Sequence, residues 1–90
     1  MSQIIMKRQK QPYRHKQEIM YLMLDAARSP KTRTRLLYES MTSWEQTNEY
    51  AKELINYGLL SYNITEGTYI TTEKGLKFVQ LYSSLKEKLE

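Results

Sequence analysis

The side chains with the clearest chemistry in this sequence are cations. Lys31, Arg33 and Arg35 fall within one short stretch, and Lys7, Arg8 and Lys10 crowd the N-terminus. Residues 1–35 hold nine basic side chains against two acidic ones, whereas residues 36–90 hold five against eight, so the net charge of +4 conceals a strong asymmetry. A basic block of this kind suits a polyanion, because each Lys or Arg set against a phosphate releases condensed counterions. The competing account is a basic tail that is merely solvated.

A second set has the types that read base edges. Ser43, Gln46, Asn48 and Lys52 recur along one segment; Gln and Asn pair bidentately with adenine, and a Glu accepts from cytosine N4. Glu45, Glu49 and Glu53 outnumber Lys52 there. Carboxylates repel phosphates, so affinity has to come mainly from elsewhere. The alternative is that these glutamates solvate the segment and pair with Lys52, Glu49 being well spaced for it, while only Ser43, Gln46 and Asn48 approach a nucleic acid.

Other chemistries find no residues. The chain has no Cys, and its one His, His15, lies between Arg14 and Lys16. That excludes a disulfide scaffold and a thiolate zinc site. No Gly-x-Ser-x-Gly elbow occurs, and the three glycines form no phosphate-cradling loop. The expectation is a binding protein with no catalytic residues, no cofactor and no metal. No apolar stretch approaches the roughly 20 residues needed to span a bilayer, and the N-terminus lacks the apolar core of a secretory signal. A soluble, cytoplasmic chain without a membrane partner is expected. Ninety residues make one small domain, and a core of that size gains from self-association.

The elements that must position these residues are legible as periodicity and caps. Residues 1–12 read as a basic arm ended by Pro12. Residues 14–28 read as an amphipathic helix through Ile19, Leu22, Met23, Ala26 and Ala27, closed by Ser29-Pro30. Met20 and Leu24 widen its apolar surface, so either both sides are core or one meets a partner subunit. Thr32 is placed to cap a short helix carrying Leu36, Leu37, Tyr38 and Met41, with Lys31, Arg33 and Arg35 around its N-terminal end, where backbone N–H groups favour an anion. These bases are either phosphate contacts or ordinary charges that snorkel over the core. Met41-Thr42 turns the chain. Ser43 with Gln46 matches a capping box, opening a helix over 44–57 whose inner face is Thr47, Tyr50, Ala51, Leu54 and Ile55, and Gly58 stops it.

Residues 60–65 and 68–71 alternate as two strands around Glu66-Gly67. With a two-residue turn, Tyr62 and Ile64 share a face with Tyr69 and Thr71, and Ile70 lies opposite. The tip, residues 63–68, has no Lys or Arg. Thr72 caps a last helix in which Phe78, Tyr82, Leu85 and Leu89 are spaced four, three and four apart, beside Val79 and Leu81. That is coiled-coil spacing lasting about two heptads. Leu76, Phe78 and Val79 suit packing on the chain's own domain. Tyr82, Leu85 and Leu89 project past it, which makes Phe78, Leu81, Tyr82, Leu85 and Leu89 the candidate dimerisation set.

Short helix, capped helix, hairpin, capped helix is the order of a winged helix-turn-helix, an α+β and mainly α fold of three helices, a β-hairpin wing and a C-terminal helix. The expected organisation is an arm over 1–12, the winged domain over 13–75 and a homodimerisation helix over 76–90.

The ordered set Lys31-Thr32-Arg33, Tyr38, Ser43-Trp44-Glu45-Gln46, Tyr50, Leu54, Gly58-Leu59-Leu60, Tyr69, Thr72-Glu73-Lys74-Gly75 and Phe78 resembles the small archaeal winged-helix DNA-binding proteins, the ten-kilodalton chromatin-associated type and its predicted-regulator relatives. The resemblance spans roughly residues 16–85. It implies a homodimer on double-stranded DNA, joined by an antiparallel coiled coil of the last helices. Two departures stand out: Thr47 and Ala51 replace the usual leucines, and the terminal helix is short. The expected function is DNA binding by a dimeric transcriptional regulator or nucleoid-associated protein, with Lys31, Arg33, Arg35, Lys7, Arg8 and Lys10 on phosphates and Ser43, Gln46, Asn48 and Lys52 toward the groove. The alternative is a winged helix that binds proteins without touching DNA.

Overall fold

A computed structural model of the chain describes residues 16–89. The arm with Lys7, Arg8 and Lys10 lies outside them. The elements run α1 (Lys16–Ala26), α2 (Arg33–Ser40), α3 (Trp44–Asn56), β1 (Leu60–Asn63), β2 (Thr68–Thr71) and α4 (Glu73–Leu89). Among the described residues no helix is long and apolar enough to cross a membrane.

The core is built around α1, which packs against α2, α3, α4 and β2. Ile19, Met20, Met23 and Leu24 are all buried, together with Ala27, Leu36, Ala51, Leu54, Leu60, Tyr69 and Val79. Because α1 is covered on several sides, Met20 and Leu24 belong to the domain's own core. Elsewhere the sequence overestimates burial. Leu36 is the buried side chain of α2's apolar set, whereas Tyr38 and Met41 are exposed. In α3 the buried line is Thr47, Ala51 and Leu54. Ile55 lies one position further round the helix and is exposed.

The turn between α2 and α3 explains the threonine at 47. Thr32 caps α2 by accepting from the Arg35 N–H, and Met41 ends the helix in the left-handed region at φ 55°. Behind this turn, buried Ser40, Thr42 and Thr47 join their hydroxyls. Ser40 Oγ donates to the Leu36 carbonyl at 2.6 Å and lies 3.1 Å from Thr42 Oγ1. Thr42 and Thr47 hydroxyls are 2.6 Å apart, and Thr47 donates to the Ser43 carbonyl at 2.8 Å. With its proton on Ser43, Thr47 accepts from Thr42. A leucine at 47 would remove the hydroxyl that Thr42 and the Ser43 carbonyl both bond in this buried turn, a loss of about 1–3 kcal/mol that offsets the leucine's apolar surface.

The capping box forms as read. Ser43 Oγ accepts from the Gln46 N–H at 3.1 Å, and Gln46 Oε1 accepts from the Ser43 N–H at 3.2 Å. Gly58, at φ 77°, turns the chain out of α3.

β1 and β2 pair antiparallel with Tyr62 opposite Tyr69 and Leu60 opposite Thr71. The turn is a four-residue loop, residues 64–67, not the two-residue turn expected. Asn63 decides this: its Oδ1 accepts from the N–H groups of Thr65 and Glu66 at 3.0 and 3.1 Å, and its carbonyl accepts from Gly67 at 2.7 Å. The register moves by two residues, so Tyr62, Tyr69 and Thr71 keep their shared face. Ile64 leaves the ladder and is 85% exposed at the tip. Lys31 adds a one-residue third strand, exchanging both backbone hydrogen bonds with Tyr69 at 3.0 and 2.7 Å.

The two ends of the fold are sewn together by threonines. The Thr71 N–H and hydroxyl donate to the carbonyls of Ala27 and Leu24 at the end of α1, at 2.8 and 2.6 Å. Thr72 accepts from the Gly75 N–H and donates to the Gly58 carbonyl at 2.6 Å, while Lys74 Nζ reaches the Tyr57 carbonyl at 3.0 Å. The start of α4 is thereby held against the end of α3. Gly75 sits at the closest approach: a Cβ there would fall on the Leu59 carbonyl oxygen and 2.5 Å from Thr71 Cγ2. Further along α4, Val79 is buried, Tyr82 stacks on Tyr21 at 4.7 Å and on Phe78 at 6.0 Å, and Leu81 and Leu85 are exposed.

Gly75→Ala is expected to cost about 2–3 kcal/mol, lowering the melting midpoint by roughly 10–20 °C, because the clash is with backbone. Lys77→Ala, on the exposed side of the same helix, should change stability by less than about 0.5 kcal/mol. Thermal melts of both variants by circular dichroism check this.

Candidate nucleic-acid interface

Folding gives every base from residue 16 to 35 an intramolecular partner. Lys16 pairs with Glu53 at 2.8 Å and Arg28 with Asp25 at 3.0 Å. Hydrogen bonding to Glu53 raises the Lys16 ammonium above its ordinary pKa. The Glu49–Lys52 pair that the spacing allows is absent among the described residues. Glu53 is the α3 glutamate that finds a cation, and that cation comes from α1.

The three central bases diverge in role. Lys31 Nζ donates to the Ala26 carbonyl at 2.6 Å, to Ser29 Oγ at 3.2 Å and to Glu39 at 3.5 Å. Its ammonium closes the end of α1 and is mostly covered. Arg33 turns inward: its Nε and Nη2 donate to the Tyr69 hydroxyl at 3.1 and 2.5 Å, and its guanidinium lies over the Trp44 ring at 5.4 Å. Arg35 stays exposed and sets Nε and Nη2 on Glu39 Oε2 at 3.2 and 2.9 Å. The Arg35 hydrogen bond, with the Lys31 charge behind it, holds the Glu39 carboxyl below the usual carboxylate range. Of the three, Arg35 is therefore the base that is presented to solvent.

On α3, Ser43 and Gln46 spend their side-chain oxygens in the capping box. The Gln46 amide keeps its NH2 donors beyond that bond. Asn48 is half-buried, while Glu45, Glu49 and Lys52 are exposed. Lys52 makes no ion pair among the described residues, so the outer face of α3 is one cation among carboxylates. The wing adds none: Glu66 is the only charged residue from 60 to 71.

Three contributors escaped the sequence reading. Tyr69 ties the wing to α2 through its hydroxyl, and Trp44 stacks under Arg33. Neither contact has a local signal, since Arg33 and Tyr69 are 36 residues apart. Glu39 did have one, because an acid four residues after Arg35 on a helix is placed to pair. In the candidate dimerisation set, Tyr82 stacks on Tyr21 and Phe78 on Tyr82, Leu81 and Leu85 face outward, and the Leu89 side chain lies outside the described residues.

A family profile described as winged helix-turn-helix matches residues 13–90. The chain belongs to the winged helix-turn-helix family. Within this winged helix, α2 and α3 form the helix-turn-helix and the β1–β2 hairpin is the wing. Its fold is similar to that of Sso10a-2, described as a DNA-binding protein from Sulfolobus solfataricus, at TM-score 0.72 and 23% sequence identity over 84% of this chain and 85% of that one. No curated protein sequence matches it significantly.

Arg33→Lys is expected to destabilise the winged helix by about 1–2 kcal/mol, because an ammonium cannot reproduce the paired bonds to Tyr69 while also placing its charge over the indole. Trp44 is the chain's one tryptophan. Urea unfolding followed by its fluorescence measures the loss, and the native emission should shift as the ring gives up its cation.

Proposed function

We propose that this winged helix binds double-stranded DNA, with α3 in the major groove and Arg35, Lys52 and the arm bases Lys7, Arg8 and Lys10 on phosphates. The observation that carries the reading is the construction of α3 as a winged-helix recognition element. Its inner line of Thr47, Ala51 and Leu54 is buried, its N-terminus is fixed by a complete capping box, and its outer face is solvent-exposed and polar. A helix so anchored offers its N-terminal residues to base edges without deforming. The DNA-binding description of the similar fold in Sso10a-2 supports the same reading. In this arrangement Arg33 and Lys31 are positioning residues, and Ser43, Gln46 and Asn48 lie at the groove end of α3.

The proposed complex is a homodimer acting as a transcriptional regulator or a nucleoid-associated protein. Around α4 the apolar arc runs from buried Val79 through Tyr82 and Phe78 to Leu85 and Leu81. The domain covers only its first part, and Leu81 and Leu85 are 72% and 56% exposed. An uncovered edge continuous with a packed stripe suits a second copy of the same helix. A second reading, a protein-binding winged helix, is favoured by exposed Tyr38, Met41 and Trp44 beside the start of α3 and by the acids on its outer face.

Gel shift on random-sequence duplex decides between them. Retardation at low salt, lost steeply as salt rises, is expected if phosphates are neutralised. No retardation at about 50 mM salt would leave the protein-binding reading. For the dimer, Leu81→Glu with Leu85→Glu should give a monomer in sedimentation equilibrium at concentrations where the parent chain is a dimer. An unchanged mass would move the interface off α4.

A further inference from the structure

The placement of Glu39 has a meaning for binding that its type alone does not suggest. This carboxylate sits at the end of α2 and is the shared acceptor of two cations. Arg35 Nε and Nη2 both reach Oε2 at 3.2 and 2.9 Å, and Lys31 Nζ lies 3.5 Å from Oε1. The two cations are held differently. Lys31 is fixed by the Ala26 carbonyl and Ser29 as well, with its side chain 17% exposed. Arg35 has no other side-chain partner among the described residues, and its side chain is 67% exposed.

A carboxylate accepting from a guanidinium offers what a phosphodiester offers: anionic oxygens at hydrogen-bond distance from the N–H fork. We infer that Glu39 is an intramolecular stand-in for a DNA phosphate, and that it sets how tightly the winged helix holds a duplex. This rests on the proposed DNA binding. In the free chain Glu39 occupies Arg35. On DNA, Arg35 turns from Glu39 to a backbone phosphate, and Lys31 remains as the carboxylate's counterion. Lys31 is what makes the exchange inexpensive, because without it the departure of Arg35 would leave Glu39 uncompensated beside a phosphate chain. An exposed ion pair four residues apart on a helix is a weak one to break. The free chain therefore keeps its guanidinium oriented and neutralised until a stronger polyanion arrives, which disfavours isolated anions relative to a duplex.

The test uses the full chain and a fluorescent random-sequence duplex, read by anisotropy across a salt series. Glu39→Gln should bind about threefold to tenfold tighter at low salt, and the gain should shrink as salt screens the contact. In an Arg35→Gln background the same change should alter affinity less than about twofold, because the cation that Glu39 withholds is gone. A gain that persists undiminished in that background would show that Glu39 acts as bulk charge and would overturn the inference. So would a Glu39→Gln chain that is folded by circular dichroism yet binds no tighter than the parent. If the parent chain itself fails to bind duplex at low salt, the proposed function falls first and the inference with it. A parent that binds, with an unresponsive Glu39→Gln, removes the inference alone.

Discussion

Tyr69 is the residue on which the geometry of the winged helix depends. A two-stranded hairpin has little stability of its own, so its direction relative to the helices must be imposed from outside. Tyr69 imposes it with every group it has. Its ring is buried in the core and lies 4.7 Å from the Tyr62 ring. Its backbone exchanges hydrogen bonds with Lys31 in both directions, and its hydroxyl accepts from Arg33. Arg33 in turn lies over Trp44, the first residue of α3. One side chain thus links the wing, the start of α2 and the start of α3, the three parts whose mutual angle a winged helix must hold constant. A buried tyrosine whose hydroxyl were left unpaired would weaken all three at once.

The same linkage changes the meaning of the basic block. Read along the chain, residues 16–35 are cationic; read in space, their charges close α1, orient the wing and neutralise Glu39 and Glu53. What is left beside α3 to attract a polyanion is smaller: exposed Arg35, exposed Lys52 on α3, and the arm bases in the proposed complex. The carboxylates Glu45 and Glu49 lower the potential of the outer α3 face further. A surface with this balance owes less of its affinity to uniform phosphate attraction than a fully basic one does. Shape and the contacts made at the end of α3 then carry a larger share of the proposed recognition.

What the sequence revealed and what it hid follow one physical division. Features written within a few residues were legible: the Ser43–Gln46 box, the Thr32 and Thr72 caps, the Gly58 stop, and the shared face of Tyr62, Tyr69 and Thr71. Each is a local hydrogen-bond or dihedral requirement with a residue-type signature. Features decided by distant partners were not. The inward turn of Arg33, the Lys16–Glu53 pair and the clearance at Gly75 arise from segments that meet only after folding. The length of the wing loop is an intermediate case. Glu66-Gly67 carried the familiar turn signal, yet the Asn63 side chain gathers two backbone N–H groups and extends the loop by two residues. A local signal was present there and a stronger one lay just upstream.

Size connects the core to the proposed assembly. Because α1 is surrounded by the other helices and β2, its apolar side chains are consumed in the domain's own core, including Met20 and Leu24, which the sequence left open to either the core or a partner. That narrows where a partner could dock. On α4 the Tyr82 ring stacks on Tyr21 and Phe78 stacks on Tyr82, and the most exposed apolar surface of the helix is the adjoining Leu81–Leu85 edge. A seam restricted to that edge buries little area per helix, so a dimer formed through it would be in concentration-dependent exchange with monomer unless another surface contributes. DNA carrying two adjacent sites would supply the missing stability, since binding of one subunit raises the effective concentration of the next. In the proposed complex, dimerisation and duplex binding are therefore coupled, and each strengthens the other by the same free energy.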